Sequence, residues 1–425
     1  MENQEKQTSF FQNTSVKMFL IGFIALVLLI PLVFVQNLID ERSQRQKEVV
    51  SETTDKWGNA IELYGPIIRI PYKDNLSNTI NYAYFFPNQL KNSITTQMEK
   101  PLERSIYKSN VFSAVFQIKG NFSVPNFAKN SIPTSDIYWN KAKIIIQTNN
   151  LKSLKDSVSM KWGSYQLNFE PSTNNTVEYL ESDYIDLSKA VFPISFSSTI
   201  KINGSESISI IPIGKTTDIV MKSNWNSPSF NGFIAPTSRN VSAKGFEATW
   251  KILHFNRPFT QEQFKTLPDL KKYSVQTQFI TPVDQYQQNE RAAKYGFLVI
   301  GLTFLVFFLI QTLSKINMHV FQYFMIGIAL VMFYTLLIAI TEHSSFSTAY
   351  IIAGVAVVVV ISLYSRSILQ QKKFALFIAT SLTALYAFIY VIIQLEDYAL
   401  LVGSIGLFAI LSAVMYFSRR IEWNK

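Results

Sequence analysis

The sequence predicts a membrane protein with six transmembrane α-helices, one N-terminal and five C-terminal, and a large mainly-β extracytoplasmic domain, either a sandwich or a distorted barrel. Three observations lead there. The chain is 48% apolar and only 16% charged, and its apolar residues are segregated into 18–35 and 296–417. The C-terminal apolar region breaks into runs long enough to cross a hydrocarbon core about 30 Å thick. The polar middle shows strand-like alternation and turn signals, with few helical stretches.

The first span lies in "KMFLIGFIALVLLIPLVFVQNLIDER". A cleaved signal would have a shorter apolar core closing on small residues; this run continues to Gln36 with no such exit, so it predicts an uncleaved anchor. Pro31 falls near its outer end, where a lost backbone bond is easier to re-satisfy. The five further spans are 296–313, 320–341, 346–364, 374–393 and 398–417. Polar residues at 40–56 and 284–295 predict helical extensions beyond the membrane. The expected organisation is a cytoplasmic N-terminus (1–17), an anchor (18–36), the extracytoplasmic domain (37–294), a five-helix bundle (295–417) and a cytoplasmic tail (418–425).

Orientation follows from Lys and Arg, which accumulate in short cytoplasmic loops. Lys315, then Arg366, Lys372 and Lys373, then Arg419, Arg420 and Lys425 fall on one side. The alternate loops hold Glu342, His343, Glu396 and Asp397 and no Lys or Arg. Both termini are therefore expected inside and the β domain outside, with Arg291 and Lys294 at the outer mouth of the second span.

Within the middle region, "NVFSAVFQIKGNF" alternates Phe112, Ala114, Phe116 and Ile118 with polar residues, the period of a half-buried strand. "KAKIIIQT", "SMKWGSYQLNF", "GFEATWKILHF" and "KYSVQTQFI" are further strands. Asn203-Gly204 is a favoured hairpin pair, and with a reversal at Gly214-Lys215 it predicts a three-strand meander. In the bundle, Ala375, Ala379, Thr383 and Ala387 predict a close helix-packing stripe. Tyr323, Tyr334, Tyr350, Tyr364, Tyr386, Tyr390, Tyr398 and Tyr416 read mostly as interfacial anchors.

The chain has no cysteine, which excludes disulfides, thiolate metal sites and cysteine nucleophiles. Phosphate-loop, dinucleotide, zincin and nucleophile-elbow motifs are absent, and no cofactor is implied. His254, His319 and His343 are scattered. Glycosidase-type chemistry needs two convergent carboxylates; Asp136, Glu170, Glu178, Glu181, Asp183 and Asp186 are candidates without evident convergence. The polar residues singled out as functional candidates are Glu342 and His343, at a span end, with Asp284 and Arg291 before the second span. Glu342 and His343 suit docking of the outer domain or pH sensing.

Net charge is +10, and residues 40–294 hold 30 basic and 23 acidic groups. Dispersed basic residues facing away from the cytoplasm argue against nucleic acid. The lipid bilayer, an envelope protein or an anionic envelope component are the partners this distribution suits.

"LYGPIIRIPY" (63–72), "FFPNQL" (85–90), "SNWNSPSFNGFIAP" (223–236), "GFEATW" (245–250), "TPVDQYQQNERAAKYGFLVIGLTFLVFFL" (281–309) and "FQYFMIGIALVMFYTLLIAITEHSSFSTAYIIAG" (321–354) resemble the CreD family of bacterial inner-membrane proteins. The resemblance implies an N-terminal anchor, a periplasmic domain and a C-terminal bundle, with a role in envelope integrity or envelope stress. It implies no enzymatic activity. A transporter or lipid-handling role for the bundle is the competing expectation.

Overall fold

The computed structural model describes residues 14–74, 78–174, 177–279, 285–314, 316, 318–369, 371–395 and 398–419. Asp284, and the loop charges Lys315, Glu396, Asp397, Arg420 and Lys425, lie outside the described residues. The chain divides into a helical unit, residues 1–47 and 283–425, and a β unit, residues 48–282.

The helical unit begins with α1 (Thr14–Val27) and α2 (Leu29–Trp57), the latter running on into the β unit's residues. The interruption at Leu28 has a local cause: Pro31 cannot donate to the Val27 carbonyl, and its ring crowds that oxygen. Next come α3 (Gln285–Lys294), α4 (Gly296–Ser314), α5 (Val320–Thr341), α6 (Phe346–Leu369), α7 (Lys372–Gln394) and α8 (Ala399–Ser418). Six helices among the described residues are long and apolar enough to cross a membrane, one near the N-terminus and five C-terminal. The polar stretch before α4 forms a separate helix, α3, rather than a continuation.

Close approach in this unit depends on two glycines. A Cβ at Gly296 would meet Leu32 Cδ1 at 2.7 Å, and one at Gly327 would run into Leu28. Leu28 and Leu32 are 1% and 4% exposed. Residue His319 caps α5: its Nδ1 accepts from the Phe321 amide at 3.2 Å, and Gln322 Oε1 accepts from the His319 amide at 2.9 Å. That satisfies helix-start donors and accounts for one of the three histidines structurally.

Two expectations about the bundle fail. Thr383 and Ala387 are exposed, and the packed face of α7 is Ala375, Ile378, Leu382, Leu385, Tyr386 and Ile389. Bulky side chains filling the core outcompete a small-residue seam here. Tyr323, Tyr334, Tyr350 and Tyr386 are core residues, each no more than 4% exposed. Tyr323 Oη donates to Gln311 Oε1 and Tyr350 Oη to the Tyr386 carbonyl, both at 2.9 Å. A phenol with an internal acceptor can be buried without a water partner.

Among the described residues the β unit contains eighteen strands. The first nine are β1 (Ile61–Lys73), β2 (Ile80–Phe85), β3 (Gln89–Met98), β4 (Leu102–Arg104), β5 (Tyr107–Ser109), β6 (Val111–Phe122), β7 (Lys143–Thr148), β8 (Ser159–Trp162) and β9 (Tyr165–Asn174). The rest are β10 (Val177–Ser182), β11 (Ile194–Ser205), β12 (Ser207–Ile210), β13 (Thr216–Ser223), β14 (Pro228–Gly232), β15 (Ser238–Ser242), β16 (Gly245–Leu253), β17 (Glu262–Phe264) and β18 (Val275–Phe279). One sheet runs β14-β18-β12-β1-β7-β10-β9-β8-β11-β6-β3-β13-β16-β15, with β2 and β17 attached to β1. It is nearly closed and barrel-like, the second of the two predicted alternatives. β9 makes the corner, pairing with β8 through its first half and β10 through its second. The β1–β12 and β3–β13 pairs are parallel.

Alternation places the core. Phe112, Ala114, Phe116 and Ile118 of β6 are at most 1% exposed, as their spacing requires. The β8–β9 hairpin turns at Gly163, whose φ of +55° suits glycine. The meander is not formed. Asn203 and Gly204 continue β11, opposite Ser113 and Phe112, and a Cβ at Gly204 would meet Ile61 Cδ1 at 2.7 Å. Glycine is there for tight packing, and β12 and β13 take partners elsewhere.

Candidate functional site

The β unit carries an open cleft of about 460 Å³. Its lining comes from four chain segments, 85–88, 123–125, 215 and 254–262, three of which knit together through backbone groups. The Phe86 amide donates to the Gln261 carbonyl at 3.0 Å, the Lys215 amide to Pro87 at 2.9 Å, and the His254 amide to Lys215 at 2.8 Å. Gln261 reinforces this with Nε2 donating to the Pro87 carbonyl at 2.9 Å. Aromatic side chains form one wall, Phe85, Phe86 and Phe259, with Phe86 and Phe259 edge-to-face at 6.0 Å. Polar groups, including Asn88, Thr260 and Lys215, complete the lining.

Behind the Phe259 ring, with its Cζ 4.1 Å from the ring centre, lies the Arg257 guanidinium. Arg257 is 5% exposed. It donates to the carbonyls of Ile213, Gly214 and Phe259, each at 3.0 Å, and to Gln261 Oε1. Its Nε has no partner among the described residues, and no carboxylate pairs with it there. Burial pulls its pKa down to about 10, which still leaves it protonated at neutral pH. The site therefore holds a buried positive charge offset only by dipoles. Burial also raises the nearby Tyr64 phenol, with Asp269 adding to the shift, so that hydroxyl stays neutral.

A second polar cluster crosses β1, β7 and β10. Glu181 accepts from Arg69 at 2.7 Å and from Lys143 at 2.6 Å, and the Arg69 guanidinium lies over the Tyr82 and Tyr179 rings. Burial opposes ionisation of Glu181, but the bonds from Lys143 and Arg69 outweigh it and hold the carboxyl below its usual range. Glu170 is the direct cross-strand neighbour of Glu181, so two of the six candidate carboxylates do come together. A general acid needs a raised pKa, and Glu181 has the opposite. The pair reads as a strand-locking network.

Among the sequence-derived candidates, Glu342 caps the end of α5 and lies 3.5 Å from Arg42 of α2. His343 beside it is exposed. Arg291 is exposed on α3, next to the buried Ala292 and Ala293. Glu342, His343 and Arg291 do not share a hydrogen-bond network. Among the described residues, no group of three or more His, Asp or Glu is arranged to hold a metal ion. The sequence reading missed Arg257, since a lone loop arginine looks like solvated surface. Its burial depends on carbonyls more than 40 positions earlier. No sequence signal marked it; only in the structure does the neighbouring Phe255 stand out, 83% accessible.

The bundle holds an apolar groove of about 310 Å³ between α4, α7 and α8, lined by residues such as Leu302, Phe307, Leu385 and Ile410. The molecule is thus a multi-pass membrane protein with a barrel-like β unit that carries an open cleft with Lys215 at its rim. Residues 13–424 match the family model described as "Inner membrane protein CreD", and the chain belongs to this family. It is 27% identical over 417 residues to "Inner membrane protein CreD" of Escherichia coli K12, covering 94% of this chain and 91% of that protein. The family description names no reaction.

Two solved structures show only remote likeness. A Legionella pneumophila protein described provisionally as a nutrient binding protein is 9% identical, covering 57% of this chain and 80% of that one, with a TM-score of 0.25. A Parabacteroides distasonis protein described provisionally as a protease is 7% identical, covering 59% of this chain and 50% of that one, with a TM-score of 0.24.

Proposed function

We propose that this inner-membrane protein contributes to cell envelope integrity or the envelope stress response without catalysing a reaction, by binding an envelope partner or stabilising a membrane complex through its β domain. In this reading residues 37–294 are periplasmic and both termini cytoplasmic, which the loop charges support. The observation that carries the binding role is the open cleft at Phe86, Lys215 and Phe259. Behind the Phe259 ring the Arg257 guanidinium, held by carbonyls of residues 213, 214 and 259, adds a buried positive charge with no carboxylate partner among the described residues. Glu342, His343 and Arg291 enter as positioning groups near the ends of membrane helices.

The test is photocrosslinking in intact cells from positions 88, 124 and 260. Capture of a defined envelope component from these positions, and not from the exposed Ser242 on β15, supports the role; capture of nothing but lipid contradicts it. The competing reading, transport or lipid handling by the bundle, is favoured by the apolar groove at Leu302, Phe307 and Leu385. It predicts that Leu385→Trp, which fills the groove, changes co-purifying lipid without affecting cleft crosslinks.

A further inference from the structure

We infer that the β-unit cleft binds a carboxylate-bearing saccharide of about disaccharide size. This rests on the proposal that the β domain binds an envelope component, and it names the chemistry of that component. Three features select the class. The volume, about 460 Å³, falls within the roughly 300–1,000 Å³ of small-molecule sites. Phe259 offers a partly exposed ring backed by the nearly buried Phe85 and Phe86, while Asn88, Ser123 and Thr260 offer amide and hydroxyl groups. That division suits a sugar ring, which has an apolar C–H face and a polar edge.

Charge then sets the sign. Lys215 is exposed at the rim, and its ammonium has no hydrogen-bond or ion-pair partner among the described residues. Arg257 adds a buried positive charge 4.1 Å from the centre of the Phe259 ring, with no carboxylate paired to it. Glu262 is the one acidic lining residue, and it has a partner of its own. The His254 ring lies against the exposed Phe255 ring at 3.8 Å, widening the aromatic rim. An anion placed between Lys215 and the Phe259 ring would face the Lys215 ammonium directly, with the Arg257 charge behind the ring. A neutral sugar would gain only the stacking and hydrogen bonds.

The probes are N-acetylglucosaminyl-N-acetylmuramic acid, with one carboxylate, and N,N′-diacetylchitobiose, which is uncharged and of similar size. Binding is measured by calorimetry on the full-length protein in lipid nanodiscs. The acidic disaccharide is expected to bind about tenfold more tightly than the neutral one, with the difference shrinking as salt rises. Lys215→Gln removes most of that difference and leaves the melting temperature unchanged. Phe259→Leu weakens both sugars alike, with its folding checked by the same melt.

Equal affinity for the two sugars, or an acidic preference untouched by Lys215→Gln, overturns the inference. If neither sugar binds while cleft crosslinking still captures an envelope component, the ligand class is wrong and the proposed function stands. If neither sugar binds and crosslinking is empty too, both fall.

Discussion

The β unit and the helical unit bury apolar side chains to similar depth, yet they treat their outer surfaces in opposite ways. Strand β3 alternates buried and exposed positions along its length, and its exposed positions are Gln89, Lys91, Ser93, Thr95 and Gln97. Helix α8 exposes Leu400, Leu401, Ile405, Phe408 and Leu411, the first at 87%. Water punishes such a surface and lipid does not. One chain thus specifies two solvents, and a lysine in place of an exposed aromatic should be costly in one half and nearly neutral in the other.

The sharpest way to break this contrast uses Phe408 and Tyr165, each 72% exposed. Phe408→Lys places a charge among lipid tails and should cost about 3 kcal/mol of insertion free energy, read as the fraction of chains with α8 spanning the membrane in a glycosylation-mapping assay. Tyr165→Lys, on β9, should change β-unit stability by no more than about 0.5 kcal/mol in denaturant unfolding. Equal effects would mean the two surfaces meet the same solvent.

A smaller effect probes packing inside the helical unit. Gly327→Val pushes a branched side chain into Leu28 and should destabilise the bundle by about 1–3 kcal/mol, seen as a lower melting temperature in detergent. If the melt is unchanged, Leu28 does not pack against Gly327 as described.

On the β side, Glu181→Gln removes an ionised partner of Arg69 and Lys143. A carboxyl held below its usual range contributes stability that is complete above the unfolded pKa of about 4.3 and lost as pH falls through the folded value. The wild type should therefore lose stability on acidification below that point, and Glu181→Gln should start less stable at neutral pH and show a flatter acid limb. Parallel curves would remove Glu181 from the network. The least effect belongs to Glu342→Gln. Its ion pair with Arg42 is long and partly exposed, and such pairs contribute about 0–1 kcal/mol. A drop in melting temperature of more than a few degrees would give Glu342 a role beyond a surface pair.

The helical half was the more legible in sequence because long apolar runs leave few alternatives. The expected span 320–341 coincides with α5 and 296–313 differs from α4 by one residue. What lies on which face was less legible. Every side of a membrane helix is apolar, so no periodic signal separates Tyr350 in the core from Tyr398, 64% exposed. In the β half, strand positions followed from alternation, but partners did not. Asn203-Gly204 carries a strong local turn signal, and long-range pairing of β11 with β6 overrides it. The cleft was illegible for the same reason, since residues 86, 215 and 257 meet only after the sheet closes.

The central claim, that lipid surrounds the apolar helices and the β unit lies beyond the membrane on the far face from the termini, can be measured directly because the chain has no native cysteine. Single cysteines at Ser188 on the β unit, Ser345 between α5 and α6, and Gln371 between α6 and α7 would be exposed in intact cells to a maleimide that crosses the outer membrane but not the inner. Labelling at 188 and 345, with 371 reacting only after the inner membrane is permeabilised, is the predicted result. Labelling at 371 in intact cells, with 188 and 345 protected, would contradict the account.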